Sequence, residues 1–155
     1  MTSSRFTAAE RLNSLKFAIL GGVCAGTVSL IVLVVHRVLI LGLSPTLTGL
    51  VSMANITLLV NGAIAALSGA LFALVYRYAV RQDQNIQLNA GVVTAFTLVR
   101  GLAQVDAGSA IAQHFWPFLA ACSESFLMFG LTALSLTFAM HHHWLEPFGL
   151  AQDQK

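Results

Sequence analysis

The chain has 155 residues, of which 57% are hydrophobic and 9% charged, whereas an ordinary soluble domain has about 25% charged residues. So few charges cannot cover the surface of a water-soluble domain this long, and the mean hydropathy is well above zero. The expected solvent is the bilayer, holding one all-α membrane domain over residues 1–155. A net charge of +2, with eight basic residues scattered along the chain, excludes the clustered basic face of a nucleic-acid reader.

Taken in order, the first uncharged run is Phe17 to Val35. At 1.5 Å per residue it covers about 28 Å, close to the thickness of a hydrocarbon core. A cleaved signal peptide has a shorter apolar region and a small-residue cleavage site, so this segment reads as a retained signal-anchor helix. Thr7 to Glu10 fits a capping box, which allows the helix to start among the charges before Phe17. The next stretch, Val38 to Tyr76, is too long for one span, and Ser44-Pro45 breaks it. The spacing predicts spans over about 17–42 and 49–76, with a turn near Leu43–Thr48. A third, shorter span covers about 88–105 and contains Arg100, and Asp106 to Ser109 ends it. Trp116-Pro117 then opens a fourth, about 116–140, because proline is tolerated in a first helical turn.

Four spans put Arg5, Arg11, Lys16, Arg77, Arg81 and Lys155 on one side and Arg37 on the other. The positive-inside bias then places both termini on the cytoplasmic side. Arg77 and Arg81 read as an anchor on that side, suited to the negative end of a helix dipole and to anionic headgroups. Gly22-x-x-x-Gly26, Gly62-x-x-x-Ala66 and Ala65-x-x-x-Gly69 are small-residue patterns that let helices approach closely in lipid. Cys24 and Cys122 lie in apolar runs and read as small hydrophobes, not as a disulfide framework.

A permanent charge at membrane depth costs about 2.5–3.5 kcal/mol and normally faces a bundle interior with a partner. Arg100 lies about 9 Å from the end of its span, and Glu124 about 12 Å from the matching end of the fourth. A short connection makes these helices antiparallel neighbours, so the two side chains can meet. Asn55 and Asn61 of the second span and Gln104, one turn from Arg100, complete a candidate buried polar cluster: Arg100, Glu124, Asn55, Asn61 and Gln104. Such a cluster fixes helix register, lines a solute, ion or proton path, or meets a partner subunit.

His141, His142 and His143 are consecutive and point about 100° apart on a helix, so they do not converge on one metal; with Trp144 they read as an interfacial cap. His36 and His114 lie near the opposite interface and are the candidate ligands if haem or chlorophyll is bound. No cofactor or metal site is otherwise expected. No phosphate loop, His-Glu-x-x-His or CxxC occurs, so no catalytic residue is assigned.

The segment from Tyr76 to Asp106, "YRYAVRQDQNIQLNAGVVTAFTLVRGLAQVD", resembles part of a small integral membrane family of cyanobacteria and plastids. The resemblance includes Arg77, Arg81, Asp83 and Arg100 and carries over no catalytic or binding role. It implies a thylakoid or cytoplasmic membrane of a photosynthetic cell, and work beside photosynthetic complexes. The leading expectation is a non-enzymatic accessory or assembly component of a larger membrane complex, with the lipid bilayer and other membrane proteins as partners and no nucleic acid. A small transporter or channel using the Arg100–Glu124 cluster is the alternative, and a haem- or chlorophyll-binding membrane protein a third.

Overall fold

Among the described residues four helices carry the chain back and forth: α1 (Ala8–Leu41), α2 (Ile56–Val80), α3 (Ile86–Gln104) and α4 (Phe115–His141). The computed structural model describes residues 8–44, 56–80, 85–104 and 115–146. All four helices are long and apolar enough to cross a membrane, and no strand occurs among the described residues. α1 packs along α2, α3 packs along α4, and α4 also contacts α1 and α2. Asn13 Nδ2 donates to Glu146 Oε2 at 3.0 Å, so the start of α1 and the chain leaving α4 share one end of the bundle.

The expected spans match in number and order but not at every boundary. α1 begins at Ala8, ahead of the apolar Phe17 and at the early start that the capping-box pattern allowed; Thr7 itself lies outside the described residues. α2 runs on to Val80 rather than ending at Tyr76. The stretch 49–55, where it was expected to start, lies outside the described residues. α3 starts at Ile86 because Asn85 caps it, its Oδ1 accepting the Gln87 N–H at 3.0 Å.

Two helix ends carry left-handed residues. Gly42, at φ 85°, follows α1, and its N–H donates to the Val38 carbonyl at 3.0 Å. After α4 the left-handed residue is His143, at φ 57°. Its N–H donates to the Met140 carbonyl at 3.1 Å and that of Trp144 to the Ala139 carbonyl at 2.9 Å. These are the two bonds of a Schellman ending, and the edge-on contact of Trp144 with Phe138, 6.4 Å between centroids, is its hydrophobic closure. The histidine run is thus a helix terminus.

The α1–α2 seam is made of backbone. A Cβ on Gly21 would stand 2.6 Å from the Gly69 carbonyl oxygen, and one on Gly69 would collide with Ala25 Cβ and the Gly21 carbonyl oxygen. The gap then widens along α1: the same construction gives 3.1 Å from Gly22 to the Ala66 oxygen and 4.0 Å from Gly26 to the Gly62 oxygen. Gly22-x-x-x-Gly26 and Ala65-x-x-x-Gly69 therefore serve packing within the chain, whereas Gly62 makes no such close approach, and Gly21, outside the expected motif, is at the tightest point. Phe72 is the hub of the core, with ring centroids 5.1–5.5 Å from those of Phe129, Phe96 and Tyr76. The outer faces present Leu12, Leu59, Leu67, Leu134 and Phe138, an apolar surface suited to lipid tails.

Gly69→Leu is expected to destabilise the bundle by about 1–3 kcal/mol or more, since neither neighbour is a flexible side chain. Gly62→Ala, whose Cβ meets nothing within 4 Å, is expected to lose nothing. Unfolding in mixed micelles measures both, and equal losses would remove the seam from the account. His143→Gly is expected to raise stability by about 0.5–1 kcal/mol by relieving the left-handed backbone.

Candidate functional site

At the end of the bundle away from Asn13 and Glu146, the helices enclose a polar cavity of about 380 Å³. α1 contributes Ser29, Val32, Leu33, His36 and Arg37, and α2 contributes Asn61. α3 contributes Arg100 and Gln104, and α4 contributes Glu124, Ser125 and Met128. The cavity begins at Ser29, about one helical turn beyond Gly26, where the α1–α2 gap has already opened. On the other side α3 and α4 pinch together: a Cβ on Gly101 would stand 2.6 Å from Cys122 Sγ and 3.2 Å from Cys122 Cα. That contact sets the neighbouring residues Arg100 and Glu124 at one level, facing the opened side.

Of the expected polar cluster, Arg100, Glu124, Asn61 and Gln104 all line this cavity; Asn55 lies outside the described residues. The hydrogen bonds run differently from a simple Arg100–Glu124 pair. Arg100 Nη1 donates to Ser68 Oγ at 3.1 Å, and Ser68 Oγ in turn donates to the Ile64 carbonyl at 2.7 Å. Glu124 Oε1 pairs with His36 Nδ1 at 3.3 Å, and is near enough to Arg100 to attract its charge. Ser125 Oγ donates to Gln104 Oε1 at 3.4 Å, tying α4 to α3 within the cavity lining.

His36 therefore belongs to the cavity, with Nδ1 against a carboxylate. His114, its expected companion as a cofactor ligand, lies outside the described residues. No group of three metal-ligating side chains occurs among the described residues. Arg37 is the cavity residue that sequence reasoning missed: it was counted only as a charge on the far side of the membrane, although it follows His36 directly and lines the same space.

Arg77 is a correction of a different kind. The expectation made it an anchor reaching toward headgroups, yet it is 2% exposed. Its Nη1 donates to the Glu10 carbonyl at 3.1 Å and to Ser14 Oγ, and its guanidinium stacks 5.4 Å from the Phe17 centroid and 5.7 Å from that of Tyr78. Tyr78 and Ser14 share a further hydrogen bond of 3.0 Å. The residue clamps α2 onto α1, which is why the helix passes through it. Arg81 lies outside the described residues.

No protein-family model, no curated protein and no solved structure matches the chain, so the cavity itself carries the functional reading.

Arg77 and the His36–Glu124 pair should behave oppositely. Arg77→Met is expected to cost about 2–4 kcal/mol, because two hydrogen bonds from a buried charge are lost. The side chains of His36 and Glu124 are 52% and 37% exposed, so a double-mutant cycle between them should give a coupling of less than about 1 kcal/mol. Equilibrium unfolding of the single and double variants reads both. A coupling several-fold larger would make the His36–Glu124 pair part of the scaffold.

Proposed function

We propose that this is a small integral membrane carrier or channel that passes a small polar solute or ion through the cavity between its four helices. The supporting observation is convergence: the described charged and histidine side chains His36, Arg37, Arg100 and Glu124 of α1, α3 and α4 meet in one space, while the helices are joined elsewhere by glycine contacts, aromatic packing and Arg77. Ionisable side chains at membrane depth that are not needed for packing mark substrate, ion or proton pathways. On the positive-inside bias, both termini face the cytoplasm and the cavity occupies the opposite half of the membrane. The thylakoid or cytoplasmic membrane of a photosynthetic cell is the compartment implied by the resemblance over Tyr76 to Asp106.

Reconstituted liposomes test this. Wild-type protein should catalyse flux of a small ion or solute, and Arg100→Gln and Glu124→Gln should each lower it about tenfold or more while leaving helical content and elution volume unchanged. Wild-type liposomes indistinguishable from protein-free ones would refute the carrier.

A second reading, an accessory component of a larger membrane complex, is favoured by a shallow groove on the outer face of α1 and α2. Gly22, Gly26, Ala63, Ala66 and Ala70 line it and offer backbone-close access to a neighbouring helix. Native electrophoresis of gently solubilised membranes should then give a heavy band that a bulky Ala63→Phe variant leaves. Migration as a free monomer in both cases would dismiss it.

A further inference from the structure

A second hollow, sharing no lining residue with the cavity, is an apolar groove of about 560 Å³ between α3 and α4. From Phe126 to Thr137 it follows α4 for about 16 Å, with Leu127 and Leu131 along its length and Val93 of α3 facing them. Gly130 lies midway, and a Cβ there would meet nothing within 4 Å. Gly21, Gly69 and Gly101 each admit a neighbouring helix, whereas Gly130 leaves the groove open. One end of the groove is polar, lined by Tyr76, Asn89 and Thr137. Each lies about one turn from its helix end, at the end of the bundle that holds Asn13 and Glu146. The Tyr76 and Thr137 hydroxyls are 2.9 Å apart and either one donates. Two hydroxyls carry two protons, and their mutual bond uses one. Asn89 Oδ1 is buried and has no hydrogen-bond partner among the described residues, a costly state for an amide oxygen. The last torsion of asparagine is soft, so the amide can turn this oxygen to a donor in the groove.

We propose that this groove binds one single-chain lipid alcohol from the bilayer, its hydroxyl between Asn89 and the Tyr76–Thr137 pair and its chain running over Gly130 along Leu127 and Leu131. The polar end calls for a donor to the amide oxygen and an acceptor for the second hydroxyl proton. An alcohol supplies both with one atom, whereas an ether, an ester or an ionised carboxylate only accepts. The direction fits a bilayer, since the polar end lies near the helix ends and the apolar end reaches toward mid-membrane. The volume falls within the range of ligand pockets, about 300 to 1,000 Å³. A lipid tail gains nothing here by leaving water, because its surroundings are already apolar. Selection therefore rests on the hydrogen bonds at the head and on the room above Gly130. The site is independent of the carrier reading, which concerns the opposite end of the bundle.

The test uses the full chain in phosphatidylcholine nanodiscs and a tritiated hexadecanol with a diazirine in mid-chain. Light should attach it saturably to peptides carrying residues 86–94 and 126–137. Unlabelled hexadecanol should displace it, and hexadecyl methyl ether, which cannot donate, should compete about tenfold more weakly. Asn89→Leu should weaken labelling about tenfold without loss of unfolding stability, because the oxygen it removes has no partner in the fold. Gly130→Leu should abolish saturable labelling by filling the groove, with helical content and elution volume unchanged. If Gly130→Leu does not fold, the alcohol-against-ether comparison on the wild-type chain decides. Labelling that never saturates, or equal competition by alcohol and ether, means bulk lipid in the groove and overturns the site. Saturable labelling that survives Gly130→Leu, or that maps to other peptides, overturns it as well.

Discussion

Everything in this bundle depends on how closely α1 and α2 approach at Gly21 and Gly69. Between helices in lipid there is no hydrophobic force to draw them together, because lipid tails are as apolar as leucine. What remains is contact between surfaces, and glycine allows the largest contact by bringing backbone against backbone. The widening from 2.6 Å at Gly21 to 4.0 Å at Gly26 is the geometry of two rods leaving a crossing point. The polar cavity is where they have separated enough for side chains such as Ser29, His36 and Asn61 to occupy the space. The seam and the cavity are thus two parts of one crossing, and a change to either glycine alters the width of the other end.

Two guanidinium groups sit at opposite ends of the bundle and do unlike work. Arg77 is enclosed by Phe17 and Tyr78 and bonded to Glu10 and Ser14, so its charge is spent on holding two helices. Arg100 has one serine partner and an acid nearby, and its head group borders open space. The first is surrounded by the aromatic end of the core, where packing is dense. The second lies beyond the Gly101–Cys122 pinch, where α3 and α4 touch but α1 and α2 have parted. The packing around each arginine sets whether its charge is structural or available.

The number and order of helices were legible because a span is a property of a run of residues, and uncharged runs near bilayer thickness are easy to recognise. The charged turns of α1, Glu10 to Lys16, were legible through the capping-box pattern before them. The end of α2 was less so, because charge was taken as the end of the helix, and α2 continues through Arg77 because aromatic rings and α1 backbone enclose that side chain. Simple depth arithmetic brought Arg100 and Glu124 to nearly one level, with Gln104 a turn away and Asn61 deeper, and all four line the cavity. It could not give the bonding among them. Ser68 is unremarkable in sequence, and transmembrane-type serines usually satisfy themselves on the preceding turn, as Ser68 does with Ile64. His36 was legible as a residue of interest, but its pairing with Glu124 depends on α1 packing against α4, which no local pattern announces. Arg37 needed only the remark that it shares a depth with His36.

The hydrogen bond between Asn13 and Glu146 makes the bundle nearly a closed circuit. The beginning of the first helix and the segment after the last are neighbours, so the order in which the chain visits its four helices is separable from the arrangement it reaches. Each of the two hairpins carries its own close contact, Gly21 with Gly69 in one and Gly101 with Cys122 in the other. A rearranged chain that links the segment after α4 to the start of α1 and opens between α2 and α3 keeps both contacts within unbroken hairpins. In such a chain the α3–α4 hairpin comes first, and the cavity still assembles from the same four walls.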